Sequence, residues 1–496
     1  MNGEESFERG KEFYEQKEYL KAIECYEKAL EDENYATPGN ARNNMGIAYG
    51  SLENYENAID CYNKALQDEN FDTPGDAWYN MGIAYGSLEN YENAMDCYNK
   101  ALQDENFDTP GDAWYNMGIA YGSLEKYEKA IECYEKALED ENYATPGNAW
   151  NKMGIAYYNL GKHEKAIECY EKALEDENYA TPGNAWNNIG IAYGNLEKHE
   201  KAIECYEKSL EDENYATPGD AWFNMGIAYD DLEKHEKAIK CYEKSLEDEN
   251  YATPGNAWNN IGVAYYNLEK YEKAIERFEK AIRYDPRDAN TYNNLGEVFY
   301  KLKMSIDAEE QFRRAIQIEP NLTEPHHNLG IILTDEECYE DAKKEYEMAL
   351  KSESTNADYL NSLGYVLVKL EQYKEAKEKF KEAISSDPAH SKAHHNLRTL
   401  KKISETKILT LPRGLIAAIS LVIISAYCLF YYDKLSGTEF VALIVFFISL
   451  LTVMVLLPES KYFKVGPSGI EFSRDTEGKP MKPKSAELMP STEFKR

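Results

Sequence analysis

Eleven glycines set the period of this chain. Gly10, Gly46, Gly82, Gly118, Gly154, Gly190, Gly226 and Gly262 stand 36 residues apart, and Gly296, Gly330 and Gly364 follow at intervals of 34. Each has an alanine twelve residues on, from Ala22 to Ala376, and a tyrosine or phenylalanine sixteen residues on, from Tyr26 to Phe380. Nineteen residues on stands alanine or serine in all eleven units. Self-similarity at a period of this length means stacked supersecondary units, each of which must bury its apolar face against a neighbour.

The residue types inside one unit predict two helices. Over Asp76 to Leu88, Trp78, Met81, Gly82 and Tyr85 fall at i, i+3, i+4 and i+7, which is one apolar helical face. Tyr91, Ala94, Met95, Tyr98, Ala101 and Leu102 do the same for a second helix. Small residues (Gly82, Ala94, Ala101) let the two helices cross closely while aromatics fill the space beside them. The linker Asp72-Thr73-Pro74-Gly75-Asp76 punctuates the units: Thr73 is the expected N-cap, and Pro74 suits the first turn. Thr109-Pro110 and Thr145-Pro146 repeat the pattern, as far as Thr253-Pro254. Before each linker runs Asp-Glu-Asn-Tyr or Asp-Glu-Asn-Phe. Acid at a helix end opposes the helix dipole, so this run is expected to serve the loop or the surface charge.

These positions resemble the tetratricopeptide repeat at its aromatic, Leu/Met-Gly, Tyr, Ala, Tyr/Phe and Ala sites. The resemblance covers residues 4–387 and implies an all-α, superhelical solenoid of about eleven repeats, similar to prokaryotic and archaeal multi-repeat proteins. The first eight units depart from the family by a linker two residues longer; the last three have the usual length, with Asp285-Pro286 and Glu319-Pro320 as linkers. A twelfth unit starts at Ala389 but puts Arg398 where the glycine would fall, so residues 389–407 read as a capping helix and linker.

Charge narrows the range of partners. The chain carries a net charge of -34, and residues 1–407 hold 45 Lys and Arg against 81 Asp and Glu. Such a rod repels nucleic acid and anionic surfaces, so no nucleic-acid partner is expected. Seven of the nine cysteines (Cys25, Cys61, Cys97, Cys133, Cys169, Cys205 and Cys241) recur every 36 residues. Neighbouring helices lie about 9 Å apart, whereas a disulfide needs Cα atoms within about 7 Å, so these are expected to be free, half-buried thiols. Met1 to Leu20 has no apolar h-region, so no secretory signal is expected.

No phosphate loop, nucleophile elbow or HExxH is present, and tandem acids such as Glu139-Asp140-Glu141 read as surface charge. The chain is therefore not expected to be an enzyme or to hold a cofactor or metal. His163, His199 and His235 recur nine residues after the glycine, where Tyr55, Tyr91 and Tyr127 stand in other units, which points to aromatic packing. His390 and His394 have i, i+4 spacing that can bind zinc, but the sequence offers no third ligand nearby.

The face of the first helix opposite its apolar side carries the candidate site. Two residues before the glycine stand Asn44, Asn80, Asn116, Asn188, Asn224, Asn260, Asn294 and Asn328, interrupted by Lys152. One residue after it come Ile47, Ile83, Ile119, Ile155, Ile191, Ile227 and Val263, and five after it Ser51, Ser87, Ser123, Asn159, Asn195, Asp231 and Asn267. A carboxamide both donates and accepts, so a row of them can hold the backbone of an extended peptide. This resembles the asparagine ladders of superhelical family members and not the members that clamp a terminal carboxylate. The alternative reading is that the asparagines tie adjacent first helices together and the isoleucines fill the space between them.

Two apolar stretches follow the repeats, at residues 413–432 and 440–457, each of spanning length and separated by a short polar segment of seven residues. Lys401, Lys402 and Lys407 precede the first, which opens on Arg413, and Lys461 and Lys464 follow the second, while the loop between them has Lys434 alone. The basic flanks predict a multi-pass membrane hairpin with both the solenoid and the tail, 458–496, on the cytoplasmic side. Within the tail, Tyr462 to Arg474 alternates as a small strand hairpin around Gly466-Pro467-Ser468-Gly469. The expected function is a membrane-anchored scaffold or adaptor that binds proteins or peptides. The alternative is an accessory or receptor subunit of a membrane enzyme or of a secretion or assembly complex. The partner and the oligomeric state are not legible.

Overall fold

The computed structural model describes residues 2–410, 421, 424–425, 462–466 and 469–473. The chain divides into two compact units, residues 1–284 and 285–496.

The first unit is eight helix pairs: α1 Gly3–Glu15 and α2 Tyr19–Leu30; α3 Pro38–Ser51 and α4 Tyr55–Ala65; α5 Pro74–Ser87 and α6 Tyr91–Ala101; α7 Pro110–Ser123 and α8 Tyr127–Glu139; α9 Pro146–Asn159 and α10 His163–Leu174; α11 Pro182–Asn195 and α12 His199–Leu210; α13 Pro218–Asp231 and α14 His235–Ser245; α15 Pro254–Asn267 and α16 Tyr271–Tyr284. The second holds three more pairs and the cap: α17 Ala289–Lys301 and α18 Ser305–Ile318; α19 Thr323–Asp335 and α20 Tyr339–Ser352; α21 Ala357–Lys369 and α22 Tyr373–Ser386; and α23 Ser391–Thr410. Within each unit every pair packs on the next. The cap helix begins in the segment read as capping helix and linker. It starts at Ser391, after Asp387 Oδ1 accepts from the Ala389 amide, and continues through Thr410.

The periodic glycine is a contact point between the two helices of a pair. A methyl placed on Gly190 would lie 2.5 Å from Tyr206 Cε1, and one on Gly330 would lie 2.6 Å from Tyr346 Cε1. The aromatic sixteen residues on thus lies flat against bare backbone, beside alanines that are fully buried. The turn between the two helices has its own signature. Seven residues after each glycine the backbone enters the left-handed region, at Lys17, Glu53, Glu89, Glu125, Gly161, Glu197, Glu233, Glu269, Lys303, Glu337 and Glu371. Only Gly161 adopts it without the cost, roughly 1–2 kcal/mol, that a Cβ brings there.

The structure corrects the expected cap. Pro74 occupies the first helical turn of α5, but the Thr73 side chain makes no cap hydrogen bond, and the same holds at Thr37, Thr109, Thr145, Thr181, Thr217 and Thr253. The cap comes from the acidic run that closes the second helix of the same repeat. The Gly75 amide donates to Asp104 Oδ2 at 2.7 Å, while Asp104 Oδ1 accepts from the Asn106 amide at 3.0 Å. The same pair of bonds recurs from Gly3–Asp32 through Gly39–Asp68, Gly111–Asp140, Gly147–Asp176 and Gly183–Asp212 to Gly219–Asp248. A carboxylate at a helix N-terminus satisfies an orphan amide and complements the dipole. The acid that looked misplaced at the end of one helix is therefore correctly placed at the start of another. Gly75 has to be glycine for this approach, since a Cβ there would lie 2.9 Å from Phe107 Cβ.

On the pair's edge, Lys100 sits 4.0 Å from the ring centre of Trp78, and Lys136, Lys172, Lys208 and Lys244 repeat this over Trp114, Trp150, Trp186 and Trp222. The seven periodic cysteines are buried and free.

The last described element is the expected strand hairpin. β1 Tyr462–Gly466 pairs antiparallel with β2 Gly469–Ser473, in the register Tyr462↔Ser473 to Gly466↔Gly469. Among the described residues no helix is long and apolar enough to cross a membrane. The expected spans at 413–432 and 440–457 lie outside the described residues, Leu421, Ile424 and Ser425 excepted.

Candidate functional site: the polar row on the first helices

In the first unit the predicted row sits at a half-buried level. Asn44, Asn80, Asn116, Asn188, Asn224 and Asn260 are each half-buried, with Lys152 exposed in the gap. The isoleucines beside them are the more open part. Ile83 is 40% exposed and Ile227 38%, while Ile119 and Ile191 are half-buried and lean on the apolar clusters around Tyr134 and Tyr206.

Some asparagines already have a partner in the preceding repeat. Asn116 Nδ2 donates to the Tyr79 hydroxyl at 3.0 Å, and Asn224 Nδ2 approaches Asn187 Oδ1 at 3.4 Å. Asn260 accepts from Asn259 at 3.4 Å. A second row of ties lies one helical turn on. Tyr14 and Ser51 hydroxyls are 3.1 Å apart, and Asn195 Nδ2 donates to the Tyr158 hydroxyl at 2.7 Å. Each tie runs from one first helix to the next. The residue three before the glycine (Tyr79, Asn187), which the sequence reading passed over, is the partner. The clue was in the sequence, because that position carries a hydrogen-bonding tip at nearly every rung.

Among the described residues Asn44, Asn80 and Asn188 make no side-chain hydrogen bond. The row in the first unit is thus a mixture of amides tied to a neighbour and half-buried amides without such a bond.

In the second unit the row changes character. Asn328 is 2% exposed, and its Nδ2 donates to Asn293 Oδ1 at 3.0 Å and Glu297 Oε1 at 3.2 Å. Asn293 also donates to Glu297, at 3.1 Å. Asn328 is therefore a core amide with its donors in use, and not part of an open groove. The reason is local: position +1, isoleucine in the first unit, is Glu297 here, which draws the amide inward. Asn294 is half-buried.

Several rungs carry acids beside the row. Burial pushes the Asp76 carboxyl above its ordinary range, with Asp108 and Asp104 adding to it, and burial and then Asp140 do the same to Asp112. Asp230 is also raised by burial, while hydrogen bonds to His235 Nδ1 and the Tyr242 hydroxyl, both at 2.9 Å, oppose the shift.

Groups with possible chemistry serve structure. Burial pushes the Cys97, Cys133, Cys169, Cys205 and Cys241 thiols up to about 11, which leaves them protonated and poorly nucleophilic. The His163 ring packs on Tyr158 with centroids 5.1 Å apart, in the slot that Tyr19 fills against Tyr14. His390 and His394 do not converge. His390 Nδ1 accepts from the Ala393 amide and its Nε2 meets Asp358, whereas His394 Nε2 meets the Pro388 carbonyl. Among the described residues no group of three His, Cys, Asp or Glu is placed to hold a metal.

Sequence profiles of the tetratricopeptide repeat match residues 39–67, 75–103, 111–139, 145–212, 181–248, 289–322 and 357–390. A further profile, described as TPR repeat, matches 262–303. Together they cover more than half of the chain. No curated protein matches it. Solved structures that are similar include yeast Tom70, 16% identical over 84% of this chain and 99% of that one with a TM-score of 0.42. Another is the APC/C hetero-tetramer Cut9-Hcn1, 16% identical over 79% of this chain and 95% of that one with a TM-score of 0.41.

Proposed function

Because this chain belongs to the tetratricopeptide-repeat family, whose members are protein-interaction scaffolds, we propose that it gathers partner proteins at a membrane by holding extended segments along the first helices of residues 1–284. The supporting observation is the row itself: half-buried asparagines recurring rung after rung beside isoleucines, of which Ile83 and Ile227 are exposed and the others half-buried. Apolar side chains on both sides of an amide give a peptide backbone a dry strip to lie on and a donor–acceptor pair to satisfy it. Near-identical rungs favour a sequence-tolerant or repetitive partner over a compact one.

Anchorage rests on sequence. Residues 413–432 and 440–457 have the length and hydropathy of two spans, and their basic flanks favour a cytoplasmic solenoid and tail. A thiol introduced at Ser436 is expected to react with an impermeant label on intact cells, and thiols placed in the solenoid or beyond Pro458 are not. Labelling of the solenoid from outside would overturn the topology.

The groove is tested by placing a photo-crosslinking residue at Ile83 or Ile227 in the full chain. Crosslinked adducts are expected at both sites and are expected to fade when Asn80 and Asn188 become alanine. Adducts that persist unchanged in that double variant would move recognition to another face.

A further inference from the structure

At the first repeat, α1 and α2 pack against α3 on one side; their other side carries a groove of about 430 Å³. Ser6, Arg9, Phe13, Lys21, Cys25 and Lys28 line it, with Glu24 as its one acid. Arg9 and Lys21 both lie over the Phe13 ring, 5.5 Å and 5.4 Å from its centre. In a chain with a large acidic excess, this is a cationic, part-aromatic slot.

The interior of the molecule shows what such a slot accepts. In repeats four to seven the same positions are a tyrosine three after the glycine, a lysine eleven after, and the buried cysteine. The second helix of the preceding repeat fills that slot. Ile131 of α8 is clustered with Met153, Ala156 and Cys169, and Leu138 packs on the same group. Glu135, between them in the row i, i+4, i+7, faces the slot as well: burial raises Tyr157 first, and Glu135 adds to it. Glu27, Glu171 and Glu207 stand in the same relation to Tyr49, Tyr193 and Tyr229. The first repeat keeps the aromatic (Phe13), the lysine (Lys21) and the cysteine (Cys25). It replaces the buried methionine with Arg9 and the tryptophan with Ser6, which makes the slot more cationic and opens space beside Lys28.

We propose that this groove is a second docking surface, separate from the asparagine row, and that its occupant is an acidic amphipathic helix of a partner protein bearing an Ile-x-x-x-Glu-x-x-Leu row. The apolar residues cover Phe13 and Cys25, and the glutamate meets Lys21, Lys28 and Arg9. A helix in a groove, read through i, i+4 and i+7 anchors, is a recurring recognition mode, and complementary charge favours one partner sign over the other.

The probe is a side-chain-stapled, fluorescently labelled helix with the sequence of residues 127–139, titrated into the full chain by anisotropy. Saturable binding is expected, weakened at least about tenfold by Lys21→Glu with Lys28→Glu, and weakened further by added salt. Both lysines are exposed, and circular dichroism should show unchanged helicity. A probe with Glu135→Lys should bind the native chain poorly and regain affinity for the charge-reversed chain, whereas Asn80→Ala with Asn188→Ala should leave binding as it was. Absence of saturation up to millimolar chain, or equal affinity for native and charge-reversed chains, would overturn the proposal.

Discussion

The 36-residue repeats and the 34-residue repeats share a glycine, an aromatic and a set of alanines, yet they hold themselves together differently. In the first seven repeats each unit closes on itself: the aspartate after its second helix returns to cap its first, as Asp104 does to Gly75. The device ends where Tyr284 stands in place of the aspartate. In the later repeats the caps are local, with Asp288 accepting from the amides of Asn290 and Thr291, and Asn356 from those of Asp358 and Tyr359. There the cohesion runs between repeats through buried amides, Asn328 to Asn293 at 3.0 Å and Asn396 to Asn361 at 2.9 Å. The two extra linker residues thus accompany a self-capped unit whose first helices can keep half-open polar faces. Without them, Asn328 and Asn396 are buried as ties.

The feature common to both kinds of repeat gives the largest effect. Gly190→Leu and Gly330→Leu each drive a branched side chain into an aromatic ring, Tyr206 or Tyr346. Each is expected to cost about 3 kcal/mol or more and to open a protease-sensitive site in its own repeat. A large inequality between the two in thermal unfolding would mean that the glycine contact is not the shared hinge of the two kinds.

The next comparison uses one sequence position with two environments. Asn328→Ala leaves Glu297 and Asn293 buried with a donor fewer, at a cost of about 1–3 kcal/mol. Asn80→Ala removes an amide with no such bond and should change stability by less than about 0.5 kcal/mol. Denaturant midpoints measure both. Equal losses would make the row structural in both units and weaken the peptide-groove reading.

This pair also marks what the sequence could reveal. The repeats, their twenty-two helices and the strand hairpin around Gly466 and Gly469 were all readable, because each rests on local periodicity or turn chemistry. Asn80 and Asn328 look the same in one dimension. What separates them is Glu297, and its effect on Asn328 depends on which helices lie side by side. The Asp104 cap was hidden because its partner is 29 residues away, across two helices. The left-handed turn was hidden because glutamate occupies it in most repeats and only Gly161 advertises it.

The remote cap itself should be worth about as much as a local one. Asp104→Ala removes the acceptor for Gly75, and Asn356→Ala removes the acceptor for Asp358 and Tyr359; each is expected to cost about 0.5–2 kcal/mol. Asp104→Asn should retain most of the bond and lose the dipole term. A silent Asp104→Ala would mean that Pro74 and the surrounding contacts fix the start of α5 unaided.

The smallest effect has opposite signs in the two kinds of repeat. Six residues before the glycine, Asp76 is pushed up by burial and by Asp108 and Asp104, so ionising it costs stability. A carboxyl whose folded value lies above its unfolded one contributes no penalty below the ordinary carboxylate range. The penalty grows as pH rises through that raised value and is complete at neutral pH. Asp76→Asn should therefore stabilise the chain at neutral pH by no more than about 0.5 kcal/mol after solvent screening, with the gain vanishing below about pH 4. At the matching position of the second unit Asp358 faces His390, with Oδ1 and Nε2 3.0 Å apart. His390 Nδ1 accepts from the Ala393 amide, so the ring proton resides on Nε2 and is donated to the carboxylate. An amide oxygen accepts that proton less strongly than a carboxylate, so Asp358→Asn should destabilise the chain at neutral pH. Thermal unfolding of the two variants across pH 3 to 8 reads both signs. A stabilising Asp358→Asn would show that the acid there is tolerated as Asp76 is, and would remove this distinction between the two kinds of repeat.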